Sequence, residues 1–408
     1  MESESHSLGI IPIALSKLLE RFAYYGMRSI FILYIVKQLE FSRETASSIY
    51  GILGFAIGLL PILGGLIGDF LLSTRTTAII GGFIQALGCF VLAFPSQIAV
   101  YAGLCLIAIG TGLYAPNLTS MVCSLYRKRT QKVDSAMLIL YTAINLGAGI
   151  GALVIGMTSE YLGFKFSFIF CGVIMLFSPL ILLFSNNLLR ETSKTANIYL
   201  VEEKNERSTG LRVVLIIITL LSISVFWALN NLSSLPFYDR TIEVEAFSRS
   251  FFQISSMLNP IVVILGGIIL AILYSFVKSS SLLKISIGYV IFALSVVLIV
   301  LFHKNEMSSS YILFVAFVFF LQGVAELFIS PTILSVICQY GPARFNATII
   351  AAYSVVSILF SFATSYAVSH LGKLDTTSSL LICICIAIFL AVTFLVFYIL
   401  SKQKKTIA

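Results

Sequence analysis

The sequence predicts an all-α integral membrane protein with twelve transmembrane helices. Composition is the first reason. Of 408 residues, 59% are hydrophobic and 11% charged, and mean hydropathy is +1.02. Soluble domains carry about 25% charged residues. The second reason is the number and length of the apolar stretches. About twelve are long enough to cross a hydrocarbon core of roughly 30 Å. The third is what they lack. None alternates like a barrel strand, and lipid offers no partner to open backbone polar groups, which leaves helices.

In chain order the spans fall near 10–36, 45–69, 77–95, 98–125, 134–157 and 164–188. The remaining spans fall near 213–236, 250–277, 284–302, 310–338, 346–369 and 378–400. The opening MESESHSLG has no basic region of the kind that starts a signal peptide, so the first span is expected to stay. Basic residues set orientation. With both termini cytoplasmic, sixteen Lys and Arg lie inside, including the run Arg127, Lys128, Arg129 and Lys132, and seven lie outside. Three more sit within the first span. The net charge of +8 is therefore an orientation signal, and the short basic loop at 127–132, lacking aromatics, points to lipid headgroups rather than nucleic acid. A multi-pass protein of the plasma membrane is expected.

The one long polar stretch, about 189–212, divides six spans from six. It reads as a cytoplasmic linker between an N-terminal bundle (1–188) and a C-terminal bundle (213–408). LGGLIG at 63–68 and LGGIIL at 265–270 occupy the second and eighth spans, an echo that fits two parallel six-helix halves, as in the major facilitator fold.

The first span holds the chemistry. KLLERFAYYGMR at 17–28 places three cations and a carboxylate in a membrane segment, where each charge costs at least about 2.5–3.5 kcal/mol. At 100° per residue, Lys17, Glu20, Arg21, Tyr24, Tyr25 and Arg28 share one side of the helix. Such a face lines the path of a polar solute or ion. After the second span, Asp69 and Arg75 flank a short turn and can latch helices together as a gate. The seven cysteines all lie in apolar spans and read as small apolar fillers, and His6, His303 and His370 form no ligand cluster, so no metal or cofactor is expected.

Six segments, in order, carry a resemblance. They are KLLERFAYY (17–25), GTGLYAPN (110–117), LYTAINLGA (140–148), FWAL (226–229), FQISSMLNP (252–260) and GVAELFISPTILS (323–335). Together they resemble the proton-dependent oligopeptide transporter family of the major facilitator superfamily. The resemblance implies a monomeric importer of di- and tripeptides, working by alternating access and linked to protons. It implies that Arg21 and Tyr25 line the cavity, Arg21 meeting the peptide carboxylate. Asn145, Asn259 and Glu326 would hold the amino end, and Trp227 would wall the pocket. Glu20 and Glu326 are the candidate proton carriers, and Arg28, Asp69 and Arg75 the candidate gate residues. Packing roles compete for each: a structural Arg21–Glu20 ion pair, a protonated Glu326, asparagines bonding between helices, and aromatics that only pack.

The chain departs from the family pattern at charged positions. Lys17 replaces the first acid of ExxER, Ala115 replaces a lysine, and the acid following FW is missing near Asn230 and Asn231. Arg28 thereby loses its expected partner on span seven, which Asp239 or a substrate group could replace. The first two changes shift a neutral pair to plus one, so Lys17 is expected to share the cationic pole of the substrate site, and proton coupling is expected to be altered or lost. A transporter of another organic anion, or a membrane protein that binds a ligand without flux, stays open. An enzyme does not fit: there is no HExxH, no GxxxxGK[ST] loop and no nucleophile–base pair.

Overall fold

The computed structural model describes residues 6–127, 129, 132–190, 209–243, 245–277, 279–302, 309–370 and 376–407. Most of the polar stretch at 189–212 lies outside them. Twelve long helices run through the described residues. They are α1 (Ile10–Lys37), α2 (Arg43–Leu66), α3 (Thr74–Leu92) and α4 (Gln97–Tyr126), then α5 and α6 within the run Val133–Phe184. After these come α7 (Thr209–Glu243), α8 (Glu245–Phe276), α9 (Ser281–Phe302), α10 (Ser309–Tyr340), α11 (Asn346–His370) and α12 (Thr376–Ile407).

Short polar signals start these helices. Ser42, Ser73 and Ser96 each accept a hydrogen bond from the backbone N–H three residues on, at 3.1 Å, satisfying a donor that the first turn leaves open. Gly163 parts α5 (133–162) from α6 (164–184). Its φ of 79° and ψ of 171° belong to a region that glycine alone enters readily. Apolar side chains cover the outside: Ile98, Phe184 and Phe276 are more than four-fifths exposed, as a lipid-facing surface requires.

The chain forms two compact units. The first comprises Met1–Val214 with Ile337–Val355, and the second Leu215–Val336 with Val356–Ala408. In the first, α1 lies against α5 with backbones nearly touching. A methyl group at Gly147 would strike the Leu18 carbonyl, and one at Gly151 the Phe22 carbonyl oxygen and, at 2.7 Å, its Cα. Lacking a hydrophobic drive in lipid, membrane helices associate through such close small-residue contacts. One end of the unit is filled by aromatic and aliphatic packing, where Tyr34 meets Phe168 edge-on at 4.8 Å.

In the second unit, α7, α9 and α12 share a core. Tyr289 donates to the Ser222 carbonyl at 2.6 Å, Phe226 packs edge-on against Phe292 at 5.4 Å, and Ser286 donates to the Ala391 carbonyl at 2.7 Å. Lys284, expected at the cytoplasmic start of the ninth span, lies in the first turn of α9. It is 4% exposed, with Nζ 3.6 Å from the centre of the Tyr274 ring. The ring face offsets part of the cost of burying an ammonium.

A correction concerns the cysteines. Cys123 on α4 and Cys338 at the end of α10 form a disulfide, with Cα atoms 4.9 Å apart. They are 215 residues apart, each in an apolar helix, and no local spacing pattern announces the pair. It arises because the end of α10 packs within the first unit. Cys89, Cys105, Cys171, Cys383 and Cys385 are free.

Before α1, His6 is pinned by Tyr126 Oη at 2.8 Å from Nδ1 and by Ser135 Oγ at 3.3 Å from Nε2. Burial, with Lys132 and Arg129 nearby, holds its pKa below the usual 6.5. Above about pH 6.5 folded and unfolded chains both carry a neutral ring. Below it the unfolded chain takes the proton first, so the folded state loses stability as pH falls toward the lowered value. Melting in detergent between pH 7.5 and 5 should show this loss, and His6→Gln should flatten it. Gly151→Val should lower the melting midpoint by the equivalent of about 1–3 kcal/mol, the usual cost of overpacking, whereas Gly149→Val, whose Cβ would meet open space, should not.

Candidate functional site

The charged face of α1 folds into an ionic triad. Glu20 accepts two hydrogen bonds from Arg21, Nε to Oε2 at 2.6 Å and Nη2 to Oε1 at 2.5 Å. Lys17 Nζ lies 3.2 Å from Glu20 Oε2, one helical turn away. Side-chain exposure is 13% at Arg21, 5% at Lys17 and 0% at Glu20, so the carboxylate is the buried centre and Arg21 the open edge. Two cations share one anion, and the triad carries a formal charge of plus one.

Aromatic rings frame it. The Arg21 guanidinium lies 4.8 Å from the Tyr24 ring centre and 5.9 Å from that of Tyr25, and the two rings meet edge-on at 5.3 Å. Lys17 Nζ sits 5.1 Å from the Tyr114 ring. Behind Tyr114 is a polar cluster that sequence reasoning missed. Its hydroxyl is 2.7 Å from Ser16 Oγ and 2.8 Å from Ser178 Oγ, and Ser16 donates to the Ser178 carbonyl at 2.9 Å. This ties α1 to α4 and α6 directly beneath Lys17. Tyr114 stands in GTGLYAPN, beside the position where the family lysine is Ala115, so the motif passed over the residue that Lys17 covers.

Lys17 is thus engaged with Glu20 and Tyr114 rather than standing as a separate cationic pole. Arg28, two turns beyond Arg21, donates from Nε to the Tyr50 hydroxyl on α2 and lies 4.7 Å from that ring's centre. Tyr50, too, was missed, being one phenol in an otherwise apolar stretch. Asn145 is half-buried on α5, just before the Gly147 contact, and its amide nitrogen donates to Tyr141 O of its own helix at 3.0 Å.

In the second unit, Asn259 on α8 donates to Glu326 Oε2 on α10 at 3.0 Å, and Glu326 is 5% exposed. A buried carboxylate and an amide form an acidic pole there. Half-buried Trp227 packs edge-on against Phe226 at 5.6 Å.

Asp69 and Arg75 do latch helices, but not by pairing with each other. Asp69 lies in a π-helical turn, Ile67–Leu71, that prolongs α2. Its carboxylate accepts from Ala347 N at 3.2 Å, Thr348 N at 2.8 Å and Thr348 Oγ1 at 2.7 Å, capping the start of α11. Arg75 instead donates to the carbonyls of Leu182 (2.7 Å) and Leu183 (3.1 Å) and to Asn186 Oδ1 (2.5 Å), capping the end of α6. An acid at a helix N-terminus and a base at a C-terminus each complement unpaired backbone groups and the helix dipole. Among the described residues, no group of His, Cys, Asp and Glu side chains could hold a metal ion.

The model of the Major Facilitator Superfamily matches residues 13–363. The chain belongs to that superfamily. Its family and fold are those of multi-pass membrane transporters. Over 224 residues it is 32% identical to the uncharacterized transporter YclF of Bacillus subtilis, covering 53% of this chain and 45% of that protein. Over 178 residues it is 32% identical to dipeptide and tripeptide permease B of Aliivibrio fischeri, covering 43% of this chain and 35% of that one. The matches thus span less than half the length of these curated relatives, and the name of the second agrees with the family read from the motifs. Among solved structures, a POT family transporter crystallised with 5-aminolevulinic acid is 21% identical, covers 96% of both chains and has a TM-score of 0.65. The human organic anion transporter MFSD10 is 14% identical, covers 94% of this chain and 98% of that one, and has a TM-score of 0.69. At such identities these likenesses speak for the fold.

Removing the shared anion should be the most damaging single change in the first unit. Glu20→Gln leaves Lys17 beside Arg21 with no counter-charge and should cost about 3–5 kcal/mol. Its melting midpoint in detergent should fall well below that of Lys17→Met, which leaves a neutral Glu20–Arg21 pair.

Proposed function

We propose that the chain is a secondary transporter importing di- and tripeptides or peptide-like solutes by alternating access of two six-helix halves, 1–188 and 213–408, with both termini cytoplasmic. One observation carries this reading. The Arg21 guanidinium stands as the open edge of a buried triad with a surplus positive charge, within a membrane-crossing helix. A buried surplus charge calls for an anion, and a peptide carboxylate supplies one. Lys17 and Glu20 fix Arg21 in place, and the Tyr25 ring lies beside it. The peptide's ammonium goes to Glu326, with Asn259 and Asn145 as further polar contacts and Trp227 as an apolar wall. A zwitterion supplies the counter-charge that each pole calls for, which neither a lone anion nor a lone cation does.

Asp69 and Arg75 act in gating, because a carboxylate holding the first turn of α11 is a contact that one conformation can make and another release. Protons enter through Glu20 or Glu326. Glu20 is already committed to two cations, Lys17 and Arg21, so Glu326 is the carrier to test first.

Proteoliposomes test this. Labelled dialanine should enter, and Arg21→Gln should reduce entry at least tenfold. An inward proton gradient should drive accumulation above equilibrium, and Glu326→Gln should abolish that accumulation. Entry that ignores the gradient would overturn the coupling, and absence of entry under every condition would overturn peptide transport.

A further inference from the structure

Among the described residues, Arg28 is a cation without a carboxylate. The ion pairs among the described residues of the first unit's α1 are Lys17–Glu20 and Arg21–Glu20, and Arg28 joins neither. Its partners among the described residues are aromatic. Nε donates to the Tyr50 hydroxyl, and the guanidinium lies 4.7 Å from the Tyr50 ring and 5.9 Å from the Tyr25 ring. It is half-buried, nineteen residues into a 28-residue helix that belongs to a membrane transporter. In lipid an ionised group at that depth is matched by an opposite charge or by a water-filled cavity.

The geometry leaves a defined binding edge. A guanidinium has five N–H donors in a planar fork. Tyr50 takes the one on Nε, and no hydrogen bond from the two terminal nitrogens is made among the described residues. Those nitrogens offer parallel N–H groups of the kind that grip a carboxylate with two bonds. The two tyrosine rings hold the fork in place, which lowers the ordering cost of binding.

Distance then names the ligand. Arg21 and Arg28 are two turns apart on one face, about 10.5 Å along the axis. Their guanidinium carbons are each 5.9 Å from the centre of the same Tyr25 ring, so they lie no more than about 12 Å from one another. Two residues of extended chain span about 7 Å, and an acidic side chain adds the rest.

We infer that Arg28, with Tyr50 and Tyr25, forms a second anion subsite of the substrate site. Its ligand is the side-chain carboxylate of an acidic dipeptide whose terminal carboxylate is on Arg21. This rests on the peptide reading above and narrows it to substrates with an acidic side chain. Lys17 adds to the preference, because the triad and Arg28 together place two surplus positive charges on one helix face.

Competition against labelled dialanine in proteoliposomes, with Glu-Ala, Ala-Ala and Lys-Ala as competitors, reads the subsite directly. Succinate and sulfate serve as dianions without a peptide bond. Wild-type protein should prefer Glu-Ala over Ala-Ala at least tenfold and should bind Lys-Ala more weakly than either. Arg28→Gln should bring the Glu-Ala to Ala-Ala ratio close to one. Tyr50→Phe, which removes the phenol but no charge, should shrink the same ratio severalfold and so covers the case in which the arginine variant does not fold. Equal affinity for Glu-Ala and Ala-Ala in wild type, or a ratio unmoved by both variants, overturns the subsite while leaving peptide transport standing. If direct binding shows that succinate or sulfate binds in an Arg28-dependent way and no dipeptide binds, peptide transport falls and an anion subsite remains. No binding of any of them sinks both.

Discussion

The burial of Glu20 is the constraint on which the first unit depends. A carboxylate with no exposure needs both of its oxygens occupied, and Arg21 and Lys17 occupy them. Those contacts fix three side chains of α1, and the fixed side chains dictate what stands nearby. Lys17 requires a ring, supplied by Tyr114, and Tyr114 requires partners for its hydroxyl, supplied by Ser16 and Ser178. The opposite requirement, that α1 approach α5 backbone to backbone, is met by Gly147 and Gly151. One helix is thus held by polar contacts to α4 and α6 and by glycine contacts to α5. A helix gripped in this way can present Arg21 at a set position, and positional precision is what a binding site demands of its scaffold.

The surplus charge follows from a substitution that looks conservative in bulk but not in sign. With an acid at position 17, the triad would hold two carboxylates and one guanidinium. With Lys17, the same three positions hold two cations and one carboxylate, and the buried cluster changes from minus one to plus one. The neutral Ala115, next to Tyr114 in the chain, adds no further cation on α4. Positions 17 and 115 are therefore read together: the cation has moved from one helix to the other.

Much of this was legible in the sequence, because hydropathy and helical periodicity are local properties. The spans, the shared face of residues 17–28 and the ordered motifs all come from residues close together in the chain, and the superfamily match agrees with them. What was not legible depends on residues far apart. Cys123 and Cys338 give no spacing signal across 215 residues. Asp69 and Arg75 flank one short turn, yet each finds the end of a distant helix whose backbone groups are open. Lys284 lies near a predicted span boundary, where hydropathy cannot tell a loop lysine from one laid on a tyrosine ring. Tyr50 and Tyr114 were missed because a phenol is apolar enough to pass as packing. For the charged residues the partner is a backbone terminus or a ring face, and neither leaves a mark in a one-dimensional charge pattern.

The Cys123–Cys338 bond turns part of the chain into a covalent ring that encloses α5 through most of α10. A ring has no free ends inside it. Backbone cleavage anywhere between the two cysteines would leave one linked molecule rather than two fragments. The short segment after the ring, including the first turn of α11 that Asp69 holds, therefore stays moored to α4 by a bond as well as by packing. For that end of the protein, the order of attachment along the backbone and the order of attachment in space are different things.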